Sequence, residues 1–196
     1  MLDIGTNSGT SINDYCEVIG SNFLSSGGQW TQIPSIGFVF SAAIDNNHVI
    51  AGVSEAGTLS MRAVFTSATA TTSLDHPGML WLIPGGPDSA PGAAAINDSN
   101  VIVGYTGDAY LYAGYNSPTS PERPLSYRNA FYTTDKGIAT LGSLGGKSVT
   151  ATGISNNGVI VGYSTLAGEI ETHAFRYANS VTTDLGTLGG GKKVTG

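Results

Sequence analysis

The chain has 196 residues and carries 8 Lys and Arg against 14 Asp and Glu, which gives a formal net charge of -6 at pH 7. Charged residues make up only 11% of the sequence, a fraction too low for a coiled coil or a long solvated helix. A protein with this negative charge has few Lys and Arg side chains that could bind a phosphate backbone, so we expect no nucleic-acid partner. The 40% hydrophobic fraction is enough to build a core.

Cysteine, histidine and the apolar runs restrict the possible sites and locations further. Cys16 has no second cysteine to pair with and the three His are scattered, so we predict no disulfide, no metal site and no cofactor. No apolar run reaches the roughly 18 residues of a membrane span. The first ten residues lack the basic and apolar regions of a secretion signal. Either the protein stays in the cytosol or the sequence is a mature or truncated piece, and the ends of the repeat pattern favour the second interpretation.

One nine-residue segment occurs four times, at residues 12–20, 44–52, 96–104 and 154–162. Each copy begins with Ile, continues through Asn, Asp or Ser, and ends on a Gly eight positions after the Ile. Asn, Asp and Gly favour turns, and β-branched residues favour strands. The pattern therefore predicts four β-hairpins, in which the last Gly marks a bulge or a close approach of two backbones.

A second block follows the hairpin in the better copies. In the fourth copy it reads THAFRY at residues 172–177 and then VTTDLGTLGG at residues 181–190, and in the third copy it reads RNAFY and then IATLGSLGG. The second copy is looser, with Arg62-Ala63-Val64-Phe65, and the first copy departs furthest. Each full copy thus contains four predicted strands: the segment that leads into the Ile, the Val-Ile-Val strand, the Ala-Phe strand, and a strand that ends in Leu-Gly-Thr-Leu or its equivalent Leu-Gly-Ser-Leu.

The GISNNGVIVGYS segment, the triplet His173-Ala174-Phe175 and the DLGTLGG segment together resemble the bacterial HAF repeat family. The likeness is strong over residues 125–196, fair over 60–124 and weak over 1–59. The resemblance implies a repetitive β protein, usually secreted or associated with the cell surface. It implies no established chemistry.

Four short antiparallel strands per copy predict an all-β fold, a repeat architecture of four-stranded units that is β-propeller-like. A β-solenoid or a sandwich of meanders is the alternative. We predict one repeat domain over residues 1–196, with insertions at about 66–93 and 107–127, because stacked units share their cores. Residues 2–6 resemble the last strand of a copy, which indicates a longer repeat protein or an open array that self-associates through its ends.

Several motifs resemble catalytic or binding sites, and we interpret them as structural. The glycine segments at residues 142–148 and 186–193 resemble phosphate-binding loops, but no helix is predicted after them, so turns are favoured. Each Asn/Asp turn holds at most one acid, so turn propensity explains it better than a calcium ion does. We expect His173 to bond a neighbouring backbone and Phe175 to fill the space between units. No catalytic residue is predicted.

The insertions are the predicted place of function, because loops on a rigid scaffold usually carry it. Tyr110, Tyr112 and Tyr115 form the candidate ligand surface, with Trp81 in second place, although a strand with one buried face would also explain the tyrosines. The sequence favours a non-enzymatic extracellular or cell-surface module that binds a protein or carbohydrate ligand or assembles. One alternative is a carbohydrate-active enzyme or lectin that uses propeller loops, with Glu169 and Glu171 or Asp108 and Glu122 as candidate acids. A purely structural array is the other alternative.

Overall fold

The computed structural model describes residues 9–20, 23–33, 39–55, 61–67, 70–73, 92–105, 128–135, 137–168 and 171–187. These residues form sixteen β-strands and no helix, so none of them form a helix that could span a bilayer. The strands lie in four antiparallel sheets, each made of four strands that are consecutive in the chain. The predicted all-β class is confirmed. Both predicted insertions lie largely outside the described residues.

The strands follow the chain in four groups. The first sheet contains β1 (Ser11–Ile12), β2 (Val18–Gly20), β3 (Phe23–Ser26) and β4 (Gln29–Gln32). The second sheet contains β5 (Val39–Ile44), β6 (Ile50–Glu55), β7 (Met61–Ser67) and β8 (Ala70–Ser73). The third sheet contains β9 (Gly92–Ile96), β10 (Ile102–Tyr105), β11 (Ala130–Thr134) and β12 (Gly137–Thr140). The fourth sheet contains β13 (Gly145–Ile154), β14 (Ile160–Leu166), β15 (Thr172–Ala178) and β16 (Val181–Gly186).

All four nine-residue segments form the predicted hairpin, with the same turn each time. The backbone N–H after the Ile donates to the carbonyl four residues later, in Asn13–Glu17 (3.1 Å), Asp45–Val49 (3.0 Å), Asn97–Val101 (3.1 Å) and Ser155–Val159 (2.9 Å). The fifth residue of each segment has a positive φ, at Cys16 (59°), His48 (63°), Asn100 (59°) and Gly158 (75°). A turn followed by one left-handed residue is a common three-residue hairpin. Only the fourth segment places Gly there. Cys16 and His48 adopt this conformation at a cost of roughly 1–2 kcal/mol each, whereas Asn100 is of a residue type that tolerates it.

In the third and fourth segments, the final Gly lies where two backbones approach closely, as predicted. A Cβ added to Gly104 would overlap the carbonyl oxygen of Gly92, and one added to Gly162 would overlap the carbonyl oxygen of Thr150. The pairing register also shifts next to these positions, between Val103 and Gly104 and between residues 151 and 153. The absence of a side chain therefore allows the bulge to form.

The Phe of the Ala-Phe pair is the cross-strand partner of this Gly. Phe131 pairs with Gly104, and Phe175 pairs with Gly162; both phenylalanines are fully buried. In the second sheet the residue paired with Gly52 is Val64, one position before the Phe. The two repeated motifs thus form one contact across adjacent strands, in which an aromatic ring covers a glycine.

Three apolar clusters lie between consecutive sheets, and we call them the seams. The first seam contains Ile19 and Ile33 of the first sheet unit and Ile44 and Ile50 of the second. The second contains Ala43, Val49 and Ala51 with Ala93, Ile96, Ile102 and Phe131. The third contains Val103, Ala130 and Leu141 with Val149, Ala151, Ile160 and Phe175. Phe175 therefore packs between the third and fourth sheets, as predicted.

The segment Leu141-Gly142-Ser143-Leu144 differs from the prediction. We expected it to end the fourth strand of its copy, but β12 ends at Thr140. Leu141 instead turns into the third seam, while its N–H still donates to the carbonyl of Ala130 (2.9 Å). Gly145, with a φ of 103°, then begins β13, so a strand follows this glycine segment where a phosphate-binding loop requires a helix.

Candidate functional site

The four hairpin turns are joined by a row of hydrogen bonds that we call the turn ladder, formed by Asp14, Asn46, Asp98 and Asn156. The backbone N–H of each residue donates to the side-chain Oδ1 of the next one, at 2.9 Å, 3.0 Å and 3.0 Å along the row. Each bond joins residues that are 32, 52 or 58 positions apart in the chain. The turns of consecutive sheets therefore lie side by side in one register.

Side-chain chemistry alternates along the turn ladder. The Nδ2 of Asn46 donates both to Asp14 (2.8 Å) and to Asp98 (3.0 Å), and the Nδ2 of Asn156 donates to Asp98 (2.8 Å). A carboxylate only accepts hydrogen bonds, whereas an amide can donate two, so each acid finds a donor in its neighbour. Hydrogen bonds from the Asn46 backbone and then from the side chains of Asn46 and Asn156 lower the pKa of Asp98. It stays ionised at neutral pH.

A second row of contacts begins one residue earlier in each turn. The Oδ1 of Asn13, Asp45 and Asn97 accepts the N–H of the residue four positions later, at 3.0 Å, 2.7 Å and 3.0 Å. The Nδ2 of Asn13 then donates to the carbonyl of Asp45 (3.0 Å), and that of Asn97 donates to the carbonyl of Ser155 (3.1 Å). Asp45 has no amide to offer, and its buried Oδ2 has no hydrogen-bond partner.

These contacts correct the interpretation of the turns. Turn propensity alone is not a sufficient explanation, because the second polar residue of each copy also binds the neighbouring turn. The occurrence of Asp or Asn at that position in all four copies was the available signal. Within the described part of the chain, no three His, Cys, Asp or Glu side chains converge as a metal site would require.

Glu17 and His48 connect the first and second turns beside the ladder. The Oε2 of Glu17 is 2.6 Å from the Nδ1 of His48 and accepts a hydrogen bond from Asn13 Nδ2 at 2.7 Å. The ring of Tyr15 stacks on the imidazole, with the centroids 5.3 Å apart. Burial raises the pKa of Glu17, but the hydrogen bonds from His48 and Asn13 outweigh it, so the pKa lies below its ordinary value of 4.5.

We expect this carboxylate to make stability depend on pH. A group whose pKa is lowered on folding stabilises the fold above its unfolded pKa, and the effect is lost as the pH falls through the folded value. At neutral pH, Glu17→Gln should reduce the free energy of unfolding by about 2 kcal/mol, because the Gln oxygen can still accept from His48 and Asn13 but lacks the negative charge that strengthens both hydrogen bonds. The difference from the original chain should shrink below pH 4.5. Urea denaturation across this pH range would measure it.

The exposed Asp135→Asn change provides the control for this prediction, since Asp135 lies at a turn of the third sheet. Its stability difference from the original chain should be small at both ends of the pH range. A Glu17→Gln difference that is equally large above and below pH 4.5 would contradict the role assigned to the carboxylate.

His173, the first residue of the triplet, has a different partner from the one predicted. Its Nδ1 lies 2.9 Å and 3.0 Å from the two carboxylate oxygens of Asp184, on the neighbouring strand β16. The N–H of Gly186 and then His173 lower the pKa of Asp184. The His of one motif therefore binds the Asp of the other, and their joint occurrence in one copy was the signal. Glu171 lies 4.0 Å from the Nε2.

The predicted ligand residues Tyr110, Tyr112, Tyr115 and Trp81 lie outside the described residues, as do Glu169, Asp108 and Glu122. Tyr105 and Arg128, on either side of the third-copy insertion, are described. The guanidinium carbon of Arg128 lies 4.8 Å from the ring centroid of Tyr105, and Tyr105 pairs with Ala130. The described residues on either side of the insertion therefore lie close together.

No protein-family model matches the chain, and no curated protein shows significant similarity to it.

Proposed function

We propose that the chain is a non-enzymatic extracellular or cell-surface module, a β-propeller-like stack of four repeat units that acts through binding or assembly. The observation that carries the proposal is the continuity of the turn ladder and of the three seams across all four sheets. Because every sheet is linked to the next in the same register, the sheets form a scaffold that can present loops in fixed positions. A solenoid of the same units would serve this role equally.

The third-copy insertion is the best candidate for the binding surface. Tyr105 and Arg128, which flank it in the chain, contact each other, so the scaffold holds the two positions on either side of the insertion close together. Tyrosine provides a large contact area with little loss of side-chain entropy, and its hydroxyl can bind sugars or polar protein groups. We therefore assign ligand binding to Tyr110, Tyr112 and Tyr115, with Trp81 of the second-copy insertion as a further contact.

Replacement of the three tyrosines with alanine tests the assignment. The full chain and the triple variant would be passed over immobilised plant and bacterial polysaccharides and surface proteins. We expect the original chain to be retained and the variant to lose retention, with a melting temperature within about 2 °C of the original. Tyr15→Ala, which removes an exposed tyrosine of the first turn, is the matched control and should bind normally.

Two outcomes would contradict this function. Normal retention of the triple variant would place binding elsewhere, and a large loss of thermal stability would place the tyrosines in a core. Release of soluble sugars from a polysaccharide would instead favour the carbohydrate-active enzyme.

A further inference from the structure

The first sheet exposes one half of an interface that the other sheets bury. Ile12 is 62% exposed, whereas Ile44 and Ile96, which begin the next two nine-residue segments, are 5% and 8% exposed. Ile44 packs against Ile19 of the preceding sheet in the first seam. Ile12 holds the same position in its hairpin, but no earlier sheet covers it within the described residues. The first sheet therefore has an apolar contact site without a partner.

The fourth sheet exposes the other half. Val161 is 42% exposed, whereas the residues at the same position of the earlier segments, Ile19, Ala51 and Val103, are each 0% exposed. Val103, for example, is buried in the third seam by residues of the following sheet. In each of the three seams, the residue at the position of Val161 in one segment is covered by the following sheet, whose own segment begins with an Ile at the position of Ile12.

The turn ladder has matching ends. Each bond runs from the backbone N–H of one turn to the Oδ1 of the next, so a further turn after Asn156 would have to supply an acceptor. Asp14 at the other end has such an acceptor in its Oδ1, which receives no N–H from an earlier turn among the described residues. Placing Asn156 beside Asp14 would also continue the alternation of amide and carboxylate.

We propose that the fourth sheet of one copy docks on the first sheet of a second copy, head to tail. In this contact Val161 packs against Ile12, and the N–H of Asn156 donates to the Oδ1 of Asp14. This contact would continue the interface that joins consecutive sheets, and the first sheet of a second copy carries the Ile12 and Asp14 that such a continuation requires. The inference rests on the proposed assembly function and names its partner. A contact between two different faces leads to a ring or to a growing chain of copies.

Two half-blocked variants test the proposal by sedimentation velocity of the full chain. Ile12→Asp blocks the first sheet and leaves the fourth free, and Val161→Asp does the reverse. A carboxylate buried without a partner should weaken each contact more than about 100-fold, so each variant alone should be monomeric. An equimolar mixture should form a heterodimer and no larger species. The original chain should form species that grow with concentration, or a closed ring.

Asn179→Asp is the matched control, because Asn179 is exposed in the turn between β15 and β16, and the added carboxylate there should leave association unchanged. A monomeric original chain at every concentration, or a mixture without heterodimer, would overturn the proposal. Homodimers of Val161→Asp alone would show a symmetric contact instead and would also overturn it. Binding to the immobilised polysaccharides and surface proteins is measured separately, and the monomeric Ile12→Asp and Val161→Asp variants should still bind. Failure of assembly and failure of ligand binding are therefore distinguishable.

Discussion

Gly104→Ala should reduce the free energy of unfolding by about 3 kcal/mol, the largest loss that we expect from a single added methyl group. The new Cβ would overlap the carbonyl oxygen of Gly92 and lie 3.0 Å from the Cα of Ala93. Both neighbours are backbone atoms of the adjacent strand β9, so no side chain can rotate away to make room. The strands would have to separate at the bulge, and the contact between Gly104 and Phe131 would loosen with them.

Gly142→Ala is the control for this result. Gly142 has no atom within 4 Å of an added Cβ, and its φ is not positive. Urea denaturation of the two variants would therefore separate steric overlap from the general effect of replacing a glycine, which is only about 0.5–1 kcal/mol and of either sign. Equal stability of the two variants would show that β9 and β10 are further apart than described.

Asp45→Asn should increase the free energy of unfolding by about 1–3 kcal/mol, because it removes a buried acceptor that has no partner. An asparagine can keep the hydrogen bonds that Oδ1 accepts from the N–H groups of Asn47 (2.9 Å) and Val49 (2.7 Å). Its Nδ2 would replace the unpartnered Oδ2 and, by analogy with Asn13 and Asn97, would donate to the backbone of the next turn. Thermal and urea unfolding would both report the gain.

The reverse change provides the internal check. Asn97→Asp should destabilise the chain by a similar amount, since it removes the donor to the carbonyl of Ser155 (3.1 Å) and adds a buried carboxylate. Asn157→Asp, at an exposed turn position of the fourth segment, should have little effect. If Asp45→Asn were neutral or destabilising, the Oδ2 of Asp45 would have to have a partner that the second row of contacts does not explain.

The elements that sequence patterns predicted correctly are those determined by nearby residues. Each hairpin is formed within nine residues, so turn-forming Asn and Asp and the following β-branched strand were sufficient to locate it. The close approach at Gly104 and Gly162 was also predictable, because a glycine inside an apolar strand needs a reason. The all-β class followed from the same patterns.

Contacts between copies were not predictable in the same way. The turn ladder joins residues 32 to 58 positions apart, and its register depends on how the sheets stack. The pairing register within a sheet could not be predicted to within one residue either. In the second sheet, for example, Val64 rather than Phe65 is the partner of Gly52. The partner of His173 was missed for a related reason, because β15 and β16 are joined through a bulge that a linear pattern does not reveal.

The alternating turn ladder also limits how such a chain could change in length during evolution. Loss of the unit that bears Asn46 would set the carboxylates of Asp14 and Asp98 next to each other without an amide donor between them. Gain or loss of two adjacent units together would preserve the order of acid and amide. Unequal recombination within the gene should therefore be tolerated most readily when it moves repeats in pairs, which would favour even numbers of them.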